Sequence, residues 1–161
     1  MNDMVTVGIS DMKIVKCPDA LVTYALGSFI GICLYDIDRK IGALGHIMLP
    51  NCPEGNADSN LLRFADTCIP IMLKEMEKMG CRKSRIQAKI AGGAKMFQVS
   101  DDAAFGNIGQ RNAIEVKNTL VKNGIRVLAE DTGLNYGRTL YFYTENGSMV
   151  VKSFAKGIKT L

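Results

Sequence analysis

The sequence predicts an α+β protein (α/β in the broad sense), with a mixed or largely antiparallel sheet packed against two long helices. Three observations carry that expectation. Short β-favouring runs dominate both ends of the chain, two longer stretches repeat their apolar residues at helical spacing, and Glu145-Asn146-Gly147 stands between apolar runs as a hairpin signal. With 161 residues, 47% hydrophobic and 22% charged, the chain suits one folded domain over 1–161 with its own core.

In order, Val5 to Ile9 and Met12 to Val15 read as short strands, with Cys17-Pro18-Asp19 as a breaker. Leu21 to Leu26 is β-favouring, and a tight Gly27-Ser28 turn leads into the apolar run Phe29 to Tyr35. Asp36 to Lys40 is turn-like and Ile41 to Leu49 is apolar again. Pro50 to Ser59 is a loop that follows His46 closely enough to wall a site.

Asn60 to Met79 carries the first helical pattern, with Ser59 or Asn60 as a cap and Gly80 as a stop. Pro70 lies inside it and is expected to kink or divide it, at about 3 kcal/mol unless compensated. Its methionine stripe reads as core. Ser84 to Ile90 is a strand running into Gly92-Gly93-Ala94-Lys95, which lacks the spacing of a phosphate loop and reads as backbone crossing close to a neighbour. Asp101 to Gly106 reads as a loop, and Asn107 to Asn123 as the second helix, ended by Gly124. Ile125 to Glu130, Arg138 to Thr144 and Ser148 to Val151 are strands, and 153–161 is a short basic tail expected to fray or dock lightly.

Several classes drop out on composition. The net charge of +4 is mild, there is no tryptophan, and the Lys78–Arg85 basic cluster suits a helix end better than a nucleic-acid footprint. No apolar run has the length of a bilayer span and no secretory signal opens the chain, so a cytoplasmic protein without membrane insertion is expected. The five cysteines are odd in number and lack metal-knuckle or redox-dithiol spacing, so neither a metal nor another cofactor is expected.

The chemistry-bearing residues cluster in Leu21 to Pro50. His46 is the only histidine of the chain. On spacing alone it reads more readily as a structural side chain than as a base, and Thr23 as one more β-branched strand residue.

The ordered blocks Leu21-Val-Thr-Tyr-Ala-Leu-Gly-Ser28, Gly45-His-Ile-Met-Leu-Pro50, Lys89-Ile-Ala-Gly-Gly-Ala94, Asn107-Ile-Gly109 with Arg111-Asn112, and Leu128-Ala-Glu-Asp-Thr-Gly133 followed by Gly137-Arg138 resemble the CheD family of chemotaxis proteins over nearly the whole chain. That resemblance implies an α/β/α sandwich and a chemoreceptor glutamine deamidase working through cysteine, histidine and threonine. His46 then falls on the histidine and Thr23 on the threonine, with Gly27 and Ser28 as site neighbours.

The nucleophile position is occupied by Phe29, which has no ionisable atom and puts a ring where the family has a thiol. Either the chain has given up catalysis or the residue was introduced into an intact site. Ser28 is expected to face the other way along a strand, and Cys33 to lie roughly 13 Å off. The resemblance also implies two partners, the cytoplasmic helices of chemoreceptors as substrate and the CheC phosphatase. Phe97, Phe105 and Asn107 are candidate contacts, and a non-catalytic binding role is the alternative function.

Overall fold

The computed structural model describes residues 2–55, 60–96 and 107–161. Its strands are β1 (Met4–Thr6), β2 (Asp11–Lys16), β3 (Ala20–Leu26), β4 (Ile30–Asp36), β5 (Ile41–Ile47), β6 (Ile86–Gly92), β7 (Arg126–Thr132), β8 (Arg138–Tyr143), β9 (Ser148–Ser153) and β10 (Gly157–Thr160). The helices are α1 (Ala65–Lys78) and α2 (Ile108–Lys122). The strands form two five-stranded sheets rather than one, in the orders β1-β3-β8-β9-β10 and β2-β5-β4-β6-β7. Pairing is mostly antiparallel, with β1–β3 and β6–β7 parallel. The α+β class therefore holds. The layers run sheet, sheet, helices, because α1 and α2 pack side by side on the outer face of the second sheet.

This layering explains the unbroken apolar runs of β4 and β5, which are buried on both faces. Ile30, Ile32 and Leu34 of β4 join Ile41, Ala43 and Ile47 of β5 against the helices. The alternate residues Cys33, Tyr35 and Leu44 meet Leu21, Leu140 and Phe142 of the first sheet. Period-two alternation thus divides two cores. His46 falls on the intersheet side, as the one ionisable residue of β5.

Residues 61–63 form a separate 3₁₀ turn capped by Asn60, whose side chain accepts from Leu62 N, so α1 starts later than the periodicity suggests. Pro70 does not divide α1. Burial of Ile69, Met72, Leu73 and Met76, at roughly 1.5–3 kcal/mol each, exceeds the penalty of about 3 kcal/mol for the ring. The methionine stripe is core, as expected.

The tail departs from expectation. Gly157 to Thr160 pairs antiparallel with β9, Leu161 exchanges backbone hydrogen bonds with Met149, and Lys89 Nζ donates to the Leu161 carbonyl at 2.8 Å. The Asn146-Gly147 turn does close the β8–β9 hairpin, with Gly147 at φ +73°.

Candidate functional site

The chain passes from the first sheet to the second between β3 and β4, and this crossing builds the site. After Thr23 the β3–β8 register slips, Ala25 turns into the left-handed region at φ +59°, and residues 27–29 bend across the gap before β4 begins. A bulge of this kind re-aims the chain and its side chains. Because residues 27–29 lie outside any strand, the alternation argument against Ser28 does not govern it. Ser28 and Phe29 are both half-buried and both line the same cavity.

His46 sits opposite the gap, flanked in its sheet by Asp11 and Gly31. Gly31 lets the sheets close here, since a Cβ would stand 2.9 Å from Leu140 Cδ1 and 3.2 Å from Leu26 Cδ1. Across that narrow gap Thr23 Oγ1 and His46 Nδ1 lie 2.8 Å apart, both residues fully buried. Thr23 Oγ1 also donates to the Val7 carbonyl at 2.8 Å. A hydroxyl has one proton to give, so it accepts from Nδ1–H, and the imidazole is held as the Nδ1–H tautomer. Its Nε2 then carries the lone pair, and among the described residues Nε2 has no hydrogen-bond partner. Burial lowers the His46 pKa from 6.5 to about 4, which keeps the ring neutral.

Phe29 stands against this imidazole edge to face, with ring centroids 5.8 Å apart. It also walls a cavity of about 430 Å³ shared with Ser28, Met48, Leu49, Met96, Asn107 and Ile108. A larger cavity of about 770 Å³ opens by Tyr136, Lys152 and Phe154. Phe29, whose ring meets His46, lines the smaller cavity and not the larger one, so the residues with chemistry border the smaller. No described residue of the Pro50 to Ser59 loop lines that cavity; the preceding Leu49 does.

The sequence-expected residues thus converge in part. Thr23, His46 and Phe29 come together, and Gly27, Ser28 and Asn107 border them. Phe97 and Phe105 lie outside the described residues. Cys33 is buried between the sheets, and burial drives its thiol far above the ordinary range, so it offers no replacement nucleophile. Burial likewise raises Cys68 to about 12 and Cys81 to about 11. Among the described residues no group of three or more His, Cys, Asp and Glu side chains could hold a metal, and no helix is long and apolar enough to cross a membrane.

One residue the sequence reasoning passed over is Asn112 of α2. It is fully buried, and its Nδ2 donates to the Ser28 carbonyl at 3.0 Å and the Met48 carbonyl at 2.9 Å. It ties the bend before Phe29 to the chain leaving His46. The available signal was a polar residue on the apolar side of α2, directly before Ala113.

A neutral imidazole oriented by a buried hydroxyl, beside a residue that walls an apolar cavity, defines this site within a two-sheet α+β sandwich. The CheD family, described as CheD chemotactic sensory transduction, matches residues 48–153, a stretch that begins just after His46. Curated relatives cover the rest. The probable chemoreceptor glutamine deamidase CheD of Syntrophomonas wolfei is 46% identical over 157 residues, 98% of each chain. Those of Clostridium novyi and Caldanaerobacter subterraneus are 45% and 47% identical, covering 99% and 98% of each chain. The chain belongs to the CheD family.

Proposed function

We propose that this chain is built as a chemoreceptor glutamine deamidase, a cytoplasmic single-domain protein, and that Phe29 alone withholds the reaction. The observation that carries the reading is the Thr23–His46 hydrogen bond, which leaves an unpartnered Nε2 on an imidazole in contact with residue 29. A neutral imidazole with its lone pair free and its other nitrogen anchored has the form of a general base beside a nucleophile.

With a thiol at position 29, Nε2 takes the thiol proton and the thiolate attacks the side-chain amide carbon of a receptor glutamine. The tetrahedral adduct collapses as the imidazolium returns the proton to the departing ammonia, leaving a thioester. Water, deprotonated by the same imidazole, adds to the thioester and releases glutamate and the thiol. The balance is one amide and one water in, one carboxylic acid and one ammonia out. Thr23 acts throughout by fixing the ring and its tautomer. Phe29 has no atom that can form the acyl bond, so the chain as it stands has the base and its orienting partner without the nucleophile.

The test is mass spectrometry of a glutamine-bearing receptor cytoplasmic fragment incubated with the chain and with Phe29→Cys. The expected result is conversion by Phe29→Cys only, falling roughly 10²–10⁴-fold when His46→Ala is added. Absence of conversion by Phe29→Cys would remove the deamidase reading.

One observation favours a second reading. Phe29 adds an aromatic wall to a cavity already lined by Met48, Leu49, Met96 and Ile108, a surface suited to contact. In that reading the chain is a stoichiometric chemotaxis regulator that holds CheC or receptor helices. CheC retained by the unmodified chain, with no conversion by either form, would establish it over the first.

A further inference from the structure

Three consecutive carbonyls in the crossing segment are tied down. Ala94 N donates to the Gly27 carbonyl at 2.9 Å and Gly93 N to the Phe29 carbonyl at 3.0 Å. Between them, Asn112 Nδ2 donates to the Ser28 carbonyl at 3.0 Å. In a trans peptide the carbonyl and the following N–H point in opposite directions. Asn112 joins the Ser28 carbonyl to the Met48 carbonyl on the β5 side of the segment, whereas Gly93 and Ala94 continue β6 on its other side. Fixing the Ser28 carbonyl therefore turns the N–H of residue 29 away from the Asn112 bridge.

Two of these ties come from the backbone and belong to the fold. The third comes from a side chain, and it sets the peptide whose N–H belongs to the nucleophile position itself. Asn112 performs this at a cost. Its Oδ1 is buried with no hydrogen-bond partner among the described residues, a penalty that an apolar residue in α2 would avoid. Its second bond, to the Met48 carbonyl, holds the opposite wall of the same cavity.

We propose that Asn112 is a positioning residue for the oxyanion. By holding the Ser28 carbonyl, it aims the N–H of residue 29 at the oxygen that becomes negative when the glutamine amide is attacked. This rests on the deamidase reading above and adds the group that prepares its transition state. A donor fixed in advance toward developing charge lowers the barrier without tightening ground-state binding. Phe29 then removes only the sulfur, and leaves the donor geometry in place.

The experiment compares Phe29→Cys with Phe29→Cys/Asn112→Ala in two assays on the full chain. One follows glutamine conversion in a receptor fragment, and the other follows alkylation of the introduced thiol by iodoacetamide across pH. Alkylation is a displacement at carbon with no oxyanion, so it reports the thiolate and its imidazole alone. The expected result is a roughly 10²-fold drop in kcat with little change in KM, while the pH profile of alkylation stays the same. Parallel loss of both activities, or loss of neither, would overturn the assignment.

If Phe29→Cys alone converts no glutamine, the deamidase reading has already failed and the inference falls with it, before Asn112 is touched. Thermal melting guards against a folding defect. Should Asn112→Ala melt below the assay temperature, Asn112→Ser, which keeps a hydroxyl donor, is read by the same pair of assays. Loss of fold in both makes the residue structural and overturns the proposal.

Discussion

Burial between two sheets removes from His46 the water that would stabilise its cation, and Thr23 supplies no charge in compensation. The folded pKa of about 4 lies below the unfolded value of 6.5. The unfolded chain therefore binds the proton first as the pH falls. The contribution to stability is fully present above pH 6.5 and is lost progressively between 6.5 and about 4. That difference corresponds to on the order of 3 kcal/mol. Urea midpoints of the chain and of His46→Gln, measured from pH 7 to 4, are expected to show the chain losing stability relative to the variant by that order. A constant gap across the range would mean that the imidazole titrates normally. At this scale the sequence was only partly legible. His46 stood out as the lone histidine, but its pairing with Thr23 depends on two strands in different sheets, which no local pattern encodes. Asn112 stayed hidden because a polar residue inside a helix reads as solvated until its partners, Ser28 and Met48, are brought to it by the fold.

Among the elements, β6 shows how a short glycine run places a site on the opposite strand. Gly92 adopts φ +114°, and a Cβ there would stand 2.2 Å from the Phe29 carbonyl. The Gly92-Gly93 pair was readable as a close backbone crossing, and the structure shows that what it crosses is Phe29. Gly92→Ala combines a disfavoured dihedral with a clash against main chain, so a loss of about 2–4 kcal/mol is expected, measured by the urea midpoint. A loss under about 0.5 kcal/mol, the scale of an ordinary surface change, would show that β6 can shift freely. The element boundaries came from period and turn chemistry, which are local. β10 did not, because Gly157 to Thr160 is exposed along its length and carries no alternating pattern. Its pairing is a property of the β9 edge.

For the whole molecule, the sequence predicted the class and the two helices but not the doubling of the sheet. Sheet membership is decided by pairing between distant segments, such as β3 with β8 and β4 with β6. Uninterrupted apolar runs in β4 and β5 signalled burial on both faces without saying that the second cover was another sheet. Phe142 is central to that intersheet core, buried and packed edge to face on Tyr35 at 5.8 Å, with its ring over Gly42. Phe142→Ala is expected to cost about 3–5 kcal/mol, read as a lowered urea midpoint with unchanged m-value. A small effect would indicate that the sheets collapse together without it.

The solitary histidine gives the molecule its own reporter. With one imidazole in 161 residues, every ring-proton resonance of that type in an NMR spectrum, and every such nitrogen, comes from the gap between the sheets. Binding, a change at position 29 or a displaced α2 would each register at a single, unambiguous spectroscopic address, with no labelling scheme required to find it.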